Sequence, residues 1–264
     1  MGKKSAPALK GMGRIISIAS QKGGVGKTTT AINLGACLAQ ESRRVLVVDV
    51  DPQSNATSGL GINGNDQRTT IYEVLLGHVE IAEAIQPTAL ANLDVAVSGQ
   101  RLSGAEVELV GVMARETRLK NALVKVREQY DYILVDSPPS LGLLTVNALT
   151  ASDSVLIPLQ CEYLALEGLT QLIRTIQLVQ DQLNPGLRIE GVLLTMYDSR
   201  LNLSQQVADE ARKFFAERVY RTMIPRNVRL SEAPSFGKPI VLYDPHSTGA
   251  DSYRDLAREV LDHA

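Results

Sequence analysis

The 264-residue chain has no tryptophan, only two cysteines and few aromatic side chains (4%). Without tryptophan or an aromatic-rich segment, no base-stacking nucleic-acid module is indicated. Cys37 and Cys161 lie far apart in apolar surroundings, with no CxxC pair or Cys/His cluster. That excludes a zinc site and a disulfide framework, and two reduced, buried thiols are expected. No stretch approaches the ~18 consecutive apolar residues of a membrane span. Nor is there an excess of positive charge: the net charge is −2, so any DNA contact must come from a local patch. Residues 1–13 carry Lys3, Lys4 and Lys10 but no apolar stretch, which reads as a flexible basic tail rather than a signal peptide. A cytoplasmic location is expected, with no membrane partner.

The chain does have enough apolar character (44%) to bury a substantial core. Short β-branched apolar runs alternate with segments of helical spacing. Strands are expected at 14–19, 45–50, 93–97, 132–136, 154–159, 189–195 and 219–224. Helices are expected at 29–40, 71–76, 81–85, 106–113, 117–129, 143–151, 166–183, 203–215 and 251–261. Residues 51–64 read as a polar loop, and Asn184-Pro185-Gly186 as a helix stop. Continuously apolar strands separated by helices predict an α/β fold: a mostly parallel twisted sheet with helices on both faces. No break in composition divides residues 14–264, so one P-loop domain is expected there. Ligands in such sheets sit at the carboxyl ends of the strands, where every motif below falls.

The first strand leads into Gln21-Lys22-Gly23-Gly24-Val25-Gly26-Lys27-Thr28, followed by Thr29 and a helix. Glycines let the main chain curl so that successive N–H groups face a phosphate. The helix start adds partial positive charge. Lys27 brings a compact cation to the β- and γ-phosphates, and the Thr28 hydroxyl can ligate Mg²⁺. These features predict binding of ATP with magnesium. The usual phosphate-loop pattern begins with glycine, but Gln21 holds that place, and a second lysine, Lys22, follows it. The strand-loop-helix context sets this segment apart from an incidental glycine-rich turn.

KGGVGKTTTAINLG, VDVDPQSNATSGLG, YILVDSPPS, MYDSR and IPRNVRLSEAPSFGKPI together resemble the ParA/Soj partition ATPases. That family lies in the deviant Walker A class, with MinD and the nitrogenase iron protein, and the resemblance runs from Arg14 onward. It implies an ATP-dependent homodimer with two sandwiched nucleotides. Lys22 would then reach the nucleotide of the second subunit, as an arginine finger in trans does. Gly23 would sit where the two subunits approach closely. Read alone, Lys22 is a surface lysine.

Asp49 and Asp51 close the second strand, and Asp136 closes YILVD. The resemblance implies that Asp51 positions the attacking water and that Asp136 holds Mg²⁺ with Thr28. Asp49 supports either the loop or the magnesium waters. Residues 137–140 would begin a switch segment. Pro225 and Asn227 would line the adenine, with Met196 and Tyr197 as further candidates; read alone, these four are equally core and loop. Arg200 and Arg229 match family positions that bind DNA backbone without sequence preference. The resemblance also implies slow basal hydrolysis, nucleoid association and stimulation by a ParB-type partner.

Three alternatives stand beside this reading. A MinD-like positioning ATPase needs a basic amphipathic C-terminal helix, whereas residues 253–264 carry two aspartates and one glutamate. An iron–sulfur protein needs a bridging cysteine pair, and Cys37 falls in the helix after the phosphate loop. A nucleotide-gated scaffold with negligible hydrolysis stays open. The absence of a preceding helix-turn-helix favours the short, Soj-like type.

Overall fold

The computed structural model describes residues 12–162 and 165–262, of which 165–167 are described in backbone only. The lysines expected to form a basic tail, Lys3, Lys4 and Lys10, lie outside the described residues.

Eight strands form one sheet: β1 (Arg14–Ile18), β2 (Val45–Asp49), β3 (Ile85–Pro87), β4 (Leu93–Ala96), β5 (Tyr132–Asp136), β6 (Ser154–Gln160), β7 (Arg188–Tyr197) and β8 (Val219–Pro225). Their order is β3-β4-β2-β5-β1-β6-β7-β8, with every pair parallel except the edge pair β3–β4. The helices are α1 (Lys27–Gln40), α2 (Asn55–Gly59), α3 (Ile71–Leu76), α4 (Leu102–Glu108), α5 (Arg118–Val124), α6 (Leu143–Ala151), α7 (Ala165–Gln182), α8 (Asn202–Phe215), α9 (Val228–Glu232), α10 (Ile240–Tyr243) and α11 (Thr248–Asp262).

Alternate strand residues face opposite layers, as the two-residue period requires. Ile16, Ile18, Val45, Val47 and Leu134 pack against α1 and α11. Ile15, Leu46, Val48, Ile133 and Val135 face α3, α5 and α6. Val155, Ile157, Val192 and Leu194 pack against α7 and α8. Eleven of the fourteen residues of α1 are buried, because α11 covers the side turned away from the sheet. Tyr253 of α11 is 1% exposed and its hydroxyl hydrogen-bonds Thr30 of α1 at 3.2 Å. Asn33 Oδ1 of α1 accepts from Ile240 N at 2.7 Å. The helix behind the phosphate loop is therefore fixed on both sides.

Four expectations differ from the structure. Residues 51–64 contain α2, which forms because buried Asp49 accepts the Thr57 amide at 2.8 Å. Residues 81–85 make a 3-10 turn (Ile81–Ala84) and then the short edge strand β3. The helix expected at 106–113 starts earlier, as α4, where Leu102 and Ala105 are fully buried, and ends in a 3-10 turn at Gly111. The helix expected at 117–129 breaks after Val124, since the chain must turn within a few residues to enter β5. Tertiary demands override local propensity in each case.

Leu134, fully buried in the central strand β5, tests the packing of both layers. Leu134→Ala is expected to cost about 2–5 kcal/mol in urea unfolding, with an unchanged denaturant slope.

Candidate active site

Register places Ile18, Asp49 and Asp136 at one level, where β1, β2 and β5 end. The chain leaves β1 through Gly24 (φ 74°) and Gly26 (φ 90°), both left-handed. Any other L residue there is disfavoured by about 1–2 kcal/mol. Gly26 is the N-cap of α1, with no capping side chain and no acidic residue in the first turn. The first N–H groups of α1 are thus left for an anion, with the helix dipole behind them.

Two side chains hold this loop: Thr195, which sequence reasoning missed, and Ser137, which it placed only at the start of a switch segment. The Thr195 hydroxyl, from β7, donates to Val25 O at 2.9 Å. The Ser137 hydroxyl, after β5, donates to Ile18 O at 2.7 Å. Both come from distant chain positions, so no local pattern marks them.

Lys27 is 6% exposed, and its ammonium donates to Lys22 O at 3.3 Å. Burial pushes its pKa down, opposed by the charges of Asp136 and Asp51. Asp136 is fully buried, and neither carboxylate oxygen has a hydrogen-bond partner of good geometry among the described residues. Burial pushes its pKa well up, and the charge of Asp49 adds to this, while the nearby Thr28 hydroxyl and Lys27 act the other way. An unpartnered buried carboxylate beside a hydroxyl at a phosphate loop is the donor set a hard divalent cation takes.

Asp49 is equally buried, but its oxygens are engaged. Thr57 N and the Thr57 hydroxyl donate to Oδ2 at 2.8 and 2.7 Å, and Asp51 N donates to Oδ1 at 3.1 Å. Burial raises its pKa to about 6 against those hydrogen bonds. Of the two roles left open for Asp49, this geometry matches support of the loop. Asp51 is 6% exposed, and Gln53 N donates to its carboxylate at 2.9 Å.

Lys22 lies apart from this buried group. Its ammonium is 3.5 Å from Glu162, and both side chains are nearly half exposed. Glu162 also takes Arg226 at 3.1 Å. Among the described residues nothing forbids a side chain at Gly23, whose nearest contact would be Pro139 Cβ at 3.9 Å. Pro225 ends β8 opposite Tyr197 of β7. Asn227 caps α9 by accepting from Arg229 N and Leu230 N, and its amide donates to Thr248 at 2.8 Å. Met196 adopts a positive φ of 49°. Arg200 is exposed and paired with Asp198 through two hydrogen bonds of 2.9 and 2.7 Å. Arg229 is paired with Glu232 at 2.9 Å and Asp244 at 3.4 Å. Cys37 and Cys161 are free and buried, which pushes their thiols up to about 12 and about 11.

A family model described as an AAA domain matches residues 13–189. The sporulation initiation inhibitor protein Soj of Bacillus subtilis (strain 168) is 61% identical, covering 94% of this chain and 98% of that protein. The chromosome partitioning protein ParA of Myxococcus xanthus (strain DK1622) is 59% identical, covering 95% of this chain and 88% of that protein. Among solved structures, cobyrinic acid a,c-diamide synthase from Mycobacterium smegmatis with bound ATP analog and magnesium superposes with a TM-score of 0.83. It is 40% identical and covers 95% of each chain. The Soj and ParA proteins are nearer in sequence than the synthase, over a similar share of the chain.

The two buried carboxyls make the metal-free protein sensitive to pH. Their folded pKa values lie above the unfolded ones, so the folded chain binds more protons between them. The stability they contribute is fully present below the ordinary carboxylate range and falls as pH rises above it, for Asp49 through about 6. In EDTA, Asp136→Asn is expected to flatten the fall in unfolding free energy between about pH 4 and 7. An unchanged pH slope in urea titrations would contradict this assignment.

Proposed function

The chain belongs to the ParA/Soj family of chromosome-partitioning ATPases, and we propose that its ATP-bound form is a sandwich dimer that coats DNA until a ParB-type partner triggers hydrolysis. The observation that carries the proposal is one strand edge. There a buried Lys27, an uncapped helix start and an unpartnered Asp136 carboxylate converge.

In this reading the main-chain donors of residues 23–29 and the Lys27 ammonium bind the phosphates. Thr28 and Asp136 hold Mg²⁺, whose positive charge offsets the charge on the phosphate oxygens. Asp51 orients the attacking water. Phosphoryl transfer needs positioning and charge neutralisation more than covalent chemistry. Among the described residues a single chain supplies one buried cation there, Lys27, and we assign the second to Lys22 of the other subunit. Two features support this. The Lys22–Glu162 contact is a half-exposed ion pair, worth about 0–1 kcal/mol, so its release is cheap. Among the described residues a glycine at position 23 has no steric reason within one chain, but it would have one where two subunits meet. Basal turnover is slow in this account, because the catalytic cluster is completed only in the dimer.

Pro225 and Asn227 are proposed to border the adenine. Asn227 is engaged as a helix cap, so it would present its main chain or exchange the Thr248 contact. Arg200 and Arg229 are proposed to grip DNA phosphates without reading bases. Their ion pairs are on the surface and weak, so a phosphate can replace the carboxylate partner. Dimerisation would join two such patches, coupling DNA affinity to ATP and placing the protein on the nucleoid.

Binding to non-specific duplex DNA, measured together with molecular mass, tests this reading. We expect doubled mass and DNA binding with a slowly hydrolysed ATP analogue, and neither with ADP. Arg229→Glu should keep the dimer and lose DNA. Dimers of wild-type protein that ignore DNA would remove the nucleoid-coating role. Lys22→Ala should keep ATP binding within a few-fold and lose hydrolysis, and full activity in that variant would refute the trans lysine. Gly23→Val should leave nucleotide binding intact and hold the protein as a monomer.

A further inference from the structure

The proposed function gives Asp51 a role without saying what holds it in place. Asp51 sits two residues beyond the end of β2, in a loop, where the main chain has no sheet partner of its own. A carboxylate that orients water must nonetheless be fixed to a fraction of an ångström.

We propose that Asp49, Thr57 and Ser98 are positioning residues that clamp the main chain of Asp51. The proposal rests on the reading of Asp51 as the water-orienting carboxylate. The clamp is a closed ring of hydrogen bonds. Asp51 N donates to Asp49 Oδ1 at 3.1 Å. The Ser98 hydroxyl donates to Asp51 O at 2.8 Å. Ser98 N donates to the Thr57 hydroxyl oxygen at 3.0 Å. That hydroxyl donates in turn to Asp49 Oδ2 at 2.7 Å, beside the Thr57 amide at 2.8 Å.

Both main-chain groups of Asp51 are therefore held, the amide from β2 and the carbonyl from the residues after β4, with Ser54 N a second donor to that carbonyl at 2.9 Å. Asp49, Thr57 and Ser98 are fully buried and Asp51 is 6% exposed, so water cannot substitute for a lost partner without entering the core. The direction of each bond is set by the next. The Thr57 hydroxyl donates its hydrogen bond to the Asp49 carboxylate and so presents a lone pair to Ser98 N. The Ser98 hydroxyl is left to donate to Asp51 O. Such a ring strengthens itself as a unit, and losing one member loosens the rest.

The ring also explains two features. It accounts for a short helix, α2, inside a polar segment, since Thr57 is the residue of α2 that Asp49 grips. It gives Asp49 a task distinct from that of Asp136, whose oxygens are unpartnered.

The test uses the purified full chain with Mg²⁺, comparing single-turnover ATP hydrolysis with affinity for a fluorescent, non-hydrolysed ATP analogue. Ser98→Ala is expected to lower the hydrolysis rate about ten-fold or more, with analogue affinity within two-fold. Thr57→Val should do the same, and Thr57→Ser, which restores the hydroxyl, should recover the rate. In an Asp51→Ala background, Ser98→Ala should add nothing, because the clamp acts only through Asp51. A rate unchanged in Ser98→Ala overturns the clamp, as does a further equal loss in the Asp51→Ala background. Full hydrolysis in Asp51→Ala alone would instead overturn the reading of Asp51, and the clamp's catalytic purpose with it. If Thr57→Val fails to fold, Ser98→Ala, which removes a single hydroxyl, carries the test.

Discussion

A buried lysine ammonium is the constraint on which the rest depends. Lys27 stands at the start of α1 with 6% of its surface exposed, where desolvation opposes its charge. Such a group is tolerated only where opposite charge is near. Asp136 and Asp51 supply it from the ends of two neighbouring strands. The carboxylates are themselves too many for one lysine, and two of them are raised in pKa by burial. A site in this condition is complementary to a ligand carrying both signs: phosphate for the lysine and helix start, a cation for the carboxylates.

The fold serves to bring these groups to one edge. Central parallel strands end in step, so Ile18, Asp49 and Asp136 share a level despite their separation in sequence. α11 and the first residue of α10 then brace α1 from behind, through Tyr253 and Asn33. Groups whose mutual fit matters are thus set on strands and buried helices. The groups proposed to work between subunits or on DNA, Lys22, Arg200 and Arg229, are exposed and held by weak ion pairs.

Much of this was legible in the sequence, for identifiable reasons. Fully buried parallel strands are continuous apolar runs, so β1, β2, β5 and β6 stand out without any tertiary information. The phosphate loop is a local pattern whose glycines have local work at Gly24 and Gly26. What stayed hidden was everything that arises from long-range meeting. Strand order is one instance: β5 inserts between β2 and β1, and no local signal says so. α2 is another, since its cause is a carboxylate eight residues away in a different element. Thr195, Ser137 and Ser98 are small polar residues of ordinary appearance. Only packing reveals that their hydroxyls hold the main chain of the site.

The central claim is that the charges at this strand edge are complementary to nucleotide and magnesium together. Thermal unfolding measured with Mg²⁺ alone, with a non-hydrolysed ATP analogue in EDTA, and with both tests it most directly. The account predicts a rise in Tm with both that clearly exceeds the sum of the separate rises, because the phosphates answer Lys27 while the cation answers Asp136. Strictly additive shifts would mean that the two halves of the site do not act on one ligand, and would contradict it.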